Sequence, residues 1–270
     1  MKIYALLLIK NELDIIEAVL KSALEWSDKI IVFDNGSTDG SWKKVQELAK
    51  DSQKIVPYIQ DPRPFRIGLR AILFDAFKDE MTAEDWWCIR MDSDEFYLDN
   101  PKKFLAQVPF KYKQVWKSSI DFYLTKEDIA KKTFSGDFAK DKTLINHYNP
   151  YTWAEVRFIR ASKKLTWNID DFKPKPLGLI YPKQIRVLHF QFRSPQQMQK
   201  RYETRQKARI EKCGSFKHES GSSWKDYLKE SEDLLLLKND KPPIIYRNRN
   251  SFNRLHTRIL KICLHFLGIY

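Results

Sequence analysis

The sequence predicts an α/β fold in which helices flank a mostly parallel sheet. Apolar runs of strand length occupy residues 3–9, 29–34, 54–59 and 86–91, and segments with helical periodicity separate them. This alternation is the pattern of βαβ units. With 270 residues, of which 43% are hydrophobic, the chain is long enough to bury the core of one large domain or two small ones.

Three helices are predicted between these strands. The first covers roughly residues 12–25 and places its apolar side chains on one face. The second begins after the turn at residues 35–37, where Ser37 or Thr38 can cap it. The third covers roughly residues 67–79 and follows a basic loop that contains prolines.

The second half of the chain is predicted as strands, a lid and one long helix. Residues 126–150 are polar and irregular, as in an active-site lid. Ser194 and Pro195 supply the cap and the first position of the long helix. The other predicted elements are a short helix from Pro101, strands at 112–124, 155–160 and 184–192, and the long helix at about 195–212.

Charge is unevenly distributed along the chain. Residues 1–100 contain 13 basic and 19 acidic residues, whereas residues 101–270 contain 35 basic and 16 acidic residues. A basic surface attracts nucleic acid, anionic lipid or phosphorylated substrates, and charge alone does not choose among them. No recognisable motif for binding RNA or DNA supports the first of these partners.

The glycine and cysteine residues indicate how the chain can bind a nucleotide and in which compartment it is expected. Only 8 glycines are present, so the chain lacks a glycine-rich phosphate cradle and must hold any nucleotide by another device. Its three cysteines, Cys88, Cys213 and Cys263, are widely separated, which favours a reducing compartment over disulfides or structural zinc. The apolar run at 3–9 is short for a signal peptide, so we expect a cytoplasmic protein.

The most informative segment is the acidic end of the predicted strand at 86–91. Asp92, Asp94 and Glu95 follow this strand within four residues. Crowded carboxylates repel one another unless a cation lies among them, and hard oxygen ligands suit Mg²⁺ or Mn²⁺. Two interpretations remain open at this point, a metal-bridged diphosphate site and an ordinary helix cap.

Three motifs give the chain its resemblance to a known family. They are Lys10-Asn11-Glu12, the run from Phe33 to Ser41 (FDNGSTDGS), and the run from Met91 to Phe96 (MDSDEF). Together they resemble family 2 glycosyltransferases with the GT-A fold, a Rossmann-related α/β architecture. Four predicted strand ends also meet at one edge of the sheet, where open α/β sheets bind ligands.

The resemblance implies roles for the residues that match these motifs. Asp34 would accept a hydrogen bond from the nucleotide base, and Asp92 would lie toward the ribose with Ser93 beside it. Asp94 would bind the metal, with Asp92 as a further residue of the metal site. Asn11 and Glu12 either contact the donor or favour the start of the first helix. The implied cofactor is Mn²⁺ or Mg²⁺, and the implied donor is a nucleotide-sugar, with a UDP-sugar as first choice.

Basic residues and one histidine complete the predicted donor site. The segment His189-Phe190-Gln191-Phe192-Arg193-Ser194 resembles a His-Tyr-x-x-(Lys/Arg)-Ser element found in a subgroup of the same family, with Phe190 in place of tyrosine. By this resemblance His189 completes the metal coordination; the alternative is a half-buried core histidine. Four cations are predicted to approach the donor diphosphate: Arg66, Arg70, Arg193 and Lys200.

A catalytic base is the least defined part of the prediction. Inverting enzymes of this fold use a carboxylate to deprotonate the acceptor hydroxyl. Glu155, Asp170 and Asp171 lie between the acidic strand end and His189, and all three remain candidates.

The sequence therefore predicts a metal-dependent, inverting glycosyltransferase that acts on a glycan or lipid-linked acceptor in surface-glycan synthesis. A nucleotidyltransferase and a non-catalytic protein that binds nucleic acid or phosphate remain as alternatives.

The predicted domain covers residues 1–215, with a nucleotide-binding half at 1–100 and an acceptor-side half at 101–215. A basic helical extension follows at 216–270. Residues 241–270 contain six basic residues and no acidic one, and their helical periodicity is that of a helix lying at a membrane interface. We therefore expect peripheral association with an anionic membrane, and we expect no nucleic acid partner.

Overall fold

A computed structural model of the chain describes residues 1–176, 178–210, 221–238, 243 and 255–268. Its strands are β1 (Ile3–Ile9), β2 (Lys29–Asp34), β3 (Ile55–Gln60), β4 (Trp86–Met91), β5 (Glu95–Tyr97), β6 (Tyr112–Tyr123), β7 (His147–Arg160), β8 (Leu179–Ile180), β9 (Ile185–His189) and β10 (Leu235–Leu236). Its α-helices are α1 (Ile16–Leu24), α2 (Ser41–Asp51), α3 (Arg70–Phe77), α4 (Pro101–Ala106), α5 (Lys126–Lys131), α6 (Phe138–Asp141), α7 (Pro195–Ile210) and α8 (Leu255–Phe266).

The described strands form one sheet in the order β3-β2-β1-β4-β7-β6-β9-β5, in which β10 also pairs with β7 and β8 also pairs with β6. The first four strands in this order are mutually parallel, as the βαβ pattern predicts. Beyond them the sheet is mixed, because β7 runs antiparallel to both of its neighbours. The predicted α/β class, with a sheet flanked by helices, is confirmed.

β1 explains how the helices are arranged on the sheet. Its alternate side chains enter two different cores, and all seven are buried, as expected of a central parallel strand. One core packs against α1 and α2, and the other packs against α3. The carboxyl ends of the parallel strands are consequently left at one edge of the sheet.

Some predicted boundaries are wrong. Helix α2 begins at Ser41 after the N-cap Gly40, which has φ +98, and neither Ser37 nor Thr38 caps it. The hydroxyl of Ser37 instead accepts a hydrogen bond from the Asn11 backbone N–H at 2.8 Å. The segment predicted as irregular, 126–150, contains α5, α6 and the start of β7. Helix α5 forms because Thr125 and Asp128 make a capping box.

Gly68 fixes a loop beside the sheet edge. A Cβ at this position would lie 2.1 Å from the Ile169 carbonyl oxygen, so only glycine permits this approach. The contact holds the loop that carries Asp170, Asp171 and Phe172 against the start of α3.

The described parts of the C-terminal region contact the main sheet. Strand β10 pairs with β7, and the ring of Tyr227 stacks on Phe192 with centroids 5.7 Å apart. Helix α8 confirms the predicted helical tail over its described length, and Ile259, Leu260 and Ile262 are exposed on it. Residues 211–220, 239–242, 244–254 and 269–270 of the predicted extension lie outside the described residues. Among the described helices, none combines the length and apolar character needed to cross a bilayer.

Candidate active site

A cavity of about 1710 Å³ opens where the parallel strands end. The loops that follow β1, β2 and β4 line it, together with residues of β6, β7, α7 and the α6 region. Of the residues predicted from the sequence, the lining includes Asn11, Glu12, Arg70, Asp92, Ser93, Asp94, Glu155, His189 and Lys200. The structure thus brings together side chains that lie up to about 190 positions apart in the chain.

Asp34 lies fully buried at the end of β2. Its Oδ1 accepts hydrogen bonds from the Ser37 backbone N–H at 2.7 Å and from Gln60 Nε2 at 3.2 Å. Its Oδ2 is buried and has no hydrogen-bond partner within the described part of the chain. Because a buried acceptor is costly to leave unpaired, Asp34 has the capacity to accept one more hydrogen bond.

Asp94 and His189 face each other across the cavity floor. His189 Nε2 lies 3.4 Å from Asp94 Oδ2, and its Nδ1 lies 2.7 Å from Asp121 Oδ1. Strand pairing explains the placement, because His189 is in register with Glu95 of β5 and with Asp121 of β6. Burial opposes the charged imidazole, but Asp94 and Asp121 outweigh it and raise the pKa of His189 to about 10.

Asp92 and Glu95 point into a cluster of basic side chains instead. Asp92 lies 2.9 Å from Arg70, 3.1 Å from Arg90 and 3.6 Å from Arg157. Glu95 is ion-paired with Lys117 and, at 2.9 Å, with Arg157. The nearby cations overcome the effect of burial and hold the pKa of Asp92 below its ordinary value.

This cluster bears on where a metal could bind. Oxygen atoms of Asp92, Glu95 and Glu155 lie within 4.8 Å of one another, close enough to share an ion. Four cationic side chains already neutralise these carboxylates: Arg70, Arg90, Lys117 and Arg157. A divalent cation is therefore not required to neutralise this cluster.

Among the three candidate bases, Glu155 alone belongs to the described lining of the cavity. Arg90, Lys117 and Arg157 each lie within about 3 Å of its carboxylate. These cations offset its burial and lower the pKa of Glu155. Asp170 is exposed and pairs with Arg66 at 2.5 Å, and Asp171 pairs with Lys175 at 2.7 Å.

The predicted diphosphate cations are also engaged with carboxylates. Arg193 is buried and lies 2.6 Å from Glu12 and 2.7 Å from Asp14. Lys200 lies 2.7 Å from Asp39.

Sequence reasoning missed two arginines on α7 that line the cavity, Arg201 and Arg205. The sequence did contain a signal for them, because their i, i+4 spacing places both side chains on one face of a helix.

Arg201 and Arg205 are poorly solvated cations. Arg201 lies 3.7 Å from Asp94, and burial lowers the pKa of its guanidinium. Burial, reinforced by the like charge of Arg201, lowers the pKa of Arg205 to about 9. Both side chains therefore stay charged at neutral pH and have an electrostatic preference for an anion.

The structure combines a sheet flanked by helices on both faces with a D-x-D pair, Asp92 and Asp94, at the end of β4. The family model described as glycosyl transferase family 2 matches residues 5–171, more than half of the chain. The chain therefore belongs to glycosyl transferase family 2.

Solved structures provide a second comparison. One similar structure is the mannosyltransferase PcManGT from Pyrobaculum calidifontis in complex with GDP-Man and Mn²⁺, at 14% identity and a TM-score of 0.34. The match covers 59% of this chain and 44% of that chain. Another is S. aureus TarS 1–349, at 11% identity and a TM-score of 0.34, with 78% of this chain and 65% of that chain covered. The chain thus spans less than two thirds of either structure. A search of curated proteins gave no match.

The buried ion cluster makes a testable prediction about stability. Arg157→Met should lower the free energy of unfolding by about 3–5 kcal/mol, because it leaves buried carboxylates without their shared cation. Urea denaturation followed by circular dichroism measures this change. Arg66→Met is the matched control, since it breaks the exposed pair with Asp170 and should cost about 1 kcal/mol or less. Equal losses of stability from the two substitutions would contradict the conclusion that Arg157 is the shared cation of the buried carboxylates.

Proposed function

We propose that this protein is a metal-dependent glycosyltransferase that moves a sugar from a nucleotide-sugar to a glycan or lipid-linked acceptor. Transfer proceeds with inversion, and the product belongs to a surface glycan. The observation that carries the proposal is the arrangement of Asp94, His189 and Asp121 at the end of the parallel strands. Residues 1–100 form the donor half in this proposal, and residues 101–215 form the acceptor half.

The residues present fit a divalent metal. A carboxylate that holds one ring nitrogen of a histidine, leaving the other to face a second carboxylate, is the arrangement found around metal-binding histidines. Here Asp121 holds Nδ1, so Nε2 of His189 and the carboxylate of Asp94 are the proposed ligands. The imidazole favours Mn²⁺ over Mg²⁺, which prefers oxygen ligands. When bound, the metal supplies Lewis-acid stabilisation of the departing diphosphate.

Asp34 and Asp92 are the proposed contacts for the nucleoside. The unpaired, buried Oδ2 of Asp34 is suited to a ring N–H of the base, such as the one that uracil presents in a UDP-sugar. Asp92, held ionised by three arginines, is suited to accept hydrogen bonds from ribose hydroxyls. Asn11, Glu12 and Ser93 line the cavity together with Asp92.

The leaving diphosphate is assigned to α7. Arg201 and Arg205 lie one helical turn apart and line the cavity beside Asp94, whereas Arg193 is buried between Glu12 and Asp14. Charged groups that are already desolvated and positioned stabilise developing negative charge without reorganisation. Lys200 can assist from the preceding position of α7.

Glu155 is the proposed general base. Its lowered pKa keeps it ionised at neutral pH, which is the state that accepts a proton from the acceptor hydroxyl. Arg90, Lys117 and Arg157 fix the direction of its carboxylate.

Metal and nucleotide binding provide the central test. Among UDP-, GDP-, CDP- and dTDP-sugars, one should raise the melting temperature more with MnCl₂ than without it. A ligand at 100 times its Kd stabilises a protein by about 2.7 kcal/mol, which is well within reach of thermal-shift measurements. Asp94→Asn should remove the part of the shift that depends on Mn²⁺.

The control for this test is Asp75→Asn, which changes an exposed carboxylate on α3 outside the described lining of the cavity. It should behave as the wild type. The proposal fails if no nucleotide-sugar stabilises the protein, or if Asp94→Asn keeps the full response to Mn²⁺.

The arginines of α7 are tested by comparing nucleotides. Arg205→Met should weaken binding of the nucleoside diphosphate about tenfold, equivalent to about 1.4 kcal/mol, and should weaken binding of the nucleoside much less. Isothermal titration calorimetry measures both affinities. The control is Arg209→Met, because Arg209 lies on the same helix outside the described lining of the cavity. This substitution should have little effect on either affinity. An equal loss for nucleoside and diphosphate would assign Arg205 to another role.

A lipid-linked acceptor would bring the enzyme to the inner face of a membrane, and α8 is the proposed contact. Ile259, Leu260, Ile262 and Phe266 are exposed on this helix, and the sequence around it is basic. Apolar side chains flanked by basic residues bind anionic interfaces.

Ile259→Glu combined with Phe266→Glu should reduce co-flotation with phosphatidylglycerol vesicles at least fivefold, because charged side chains oppose insertion. Leu98→Glu alters an exposed apolar residue elsewhere and should not affect flotation. Equal flotation of all three proteins would remove the membrane from the proposal.

A further inference from the structure

Between Trp153 and Arg157, the side chains of β7 change from exposed and aromatic to buried and charged. Alternate residues of a regular strand share a face, and Trp153 and Glu155, which are in register with Ser119 and Lys117 of β6, therefore lie in one row. Tyr151 is 64% exposed and Trp153 is 57% exposed, whereas Arg157 is fully buried. Trp153 and Glu155 both line the cavity, so an exposed indole lies next to the proposed base, about 7 Å along the strand.

The neighbouring strand places an unpaired hydroxyl opposite this indole. Ser119 of β6 is directly in register with Trp153 and also lines the cavity. It is only 2% exposed, and its Oγ makes no hydrogen bond with any group that the structure describes. Buried polar groups of this kind are uncommon in native proteins, and a ligand is one of the explanations for them.

A second aromatic side chain borders the same region. Phe172 lines the cavity and is 45% exposed. The guanidinium of Arg90 lies 5.6 Å from its ring centroid and also binds Glu155. The backbone just before Phe172 packs closely against Gly68, which places this ring beside the cavity.

From this juxtaposition we infer that Trp153, Ser119 and Phe172 form a subsite for a neutral sugar ring of the acceptor. The inference rests on the proposed function and names the acceptor side of that same cavity. The C–H face of a pyranose packs on an indole, and a ring hydroxyl can bond to Ser119 Oγ. Aromatic walls with a few convergent polar groups are the usual composition of such sites.

The nucleotide does not compete for this position. Its proposed contacts, Asp34 and Asp92, lie at the ends of β2 and β4, whereas Ser119 and Trp153 of the subsite lie on β6 and β7 and Phe172 lies on the loop beside Gly68. The cavity, at about 1710 Å³, also exceeds the range of about 300–1,000 Å³ that is typical for one small ligand. Two substrates can therefore occupy it together, with Glu155 between them.

Saturation-transfer NMR tests the subsite without knowledge of the natural acceptor. The full chain is mixed with the methyl glycosides of glucose, galactose, mannose and N-acetylglucosamine. At least one glycoside should receive saturation, mainly on the protons of one ring face. Trp153→Ala should reduce this signal at least fivefold, and Trp153→Phe should retain most of it.

Tyr151→Ala is the matched control, because Tyr151 is also an exposed aromatic residue of β7 but lies outside the described lining of the cavity. It should leave the signal unchanged. Ser119→Ala should weaken the signal without lowering the melting temperature, whereas a structural hydroxyl would lower the melting temperature when removed.

The subsite is overturned if no glycoside gives a signal with the wild type, or if Trp153→Ala and Tyr151→Ala have the same effect. The metal-dependent response to nucleotide-sugars is measured separately on the same protein. A normal nucleotide response with no glycoside signal removes the subsite alone, whereas the absence of a nucleotide response removes the proposed function.

Discussion

The site depends on one fully buried guanidinium, that of Arg157. Three carboxylates, Asp92, Glu95 and Glu155, surround it at distances of 2.9–3.6 Å. Without a cation at this point they would repel one another in a poorly solvated environment, and the end of β4 could not hold its shape. Because the chain supplies this cation from β7, the acidic segment is divided: Asp92 and Glu95 turn toward buried basic groups, and Asp94 turns toward His189.

The pairing of β7 and β9 with their neighbours places Arg157 and His189 beside the acidic segment. Insertion of β7 between β4 and β6 brings Arg157 beneath the acidic segment. Pairing of β9 with both β5 and β6 then places His189 between Glu95 and Asp121 in the sheet. Residues 1–100 provide most of the carboxylates together with Arg70 and Arg90, and residues 101–215 provide Lys117, Arg157 and His189, which complete the neutralisation and orientation of these carboxylates. Neither half could form the site alone.

Local signals predict the residues at strand ends, and long-range pairing determines the rest. Asp34, Asp92 and Asp94 each follow an apolar strand, so their placement at one edge could be predicted from the βαβ pattern. Lys117 and Asp121 also carry a signal, since they share the cavity-facing side of β6. Their partners, however, lie up to 68 residues away in the chain, and no local pattern specifies that β9 pairs with β6. The candidate bases were ambiguous for the same reason.

The acidic first half and the basic second half of the chain meet at the cavity. Acidic groups of the first half face α7, with Asp39 on Lys200 and Asp94 near Arg201. A diphosphate alone would meet the charge of Asp94, and a divalent cation alone would meet the charge of Arg201. Each would lower the electrostatic cost of the other, because opposite charges that enter together need less compensation from the protein. This reciprocity follows from thermodynamic linkage, and it explains how carboxylates and arginines can share one cavity without excluding either ligand.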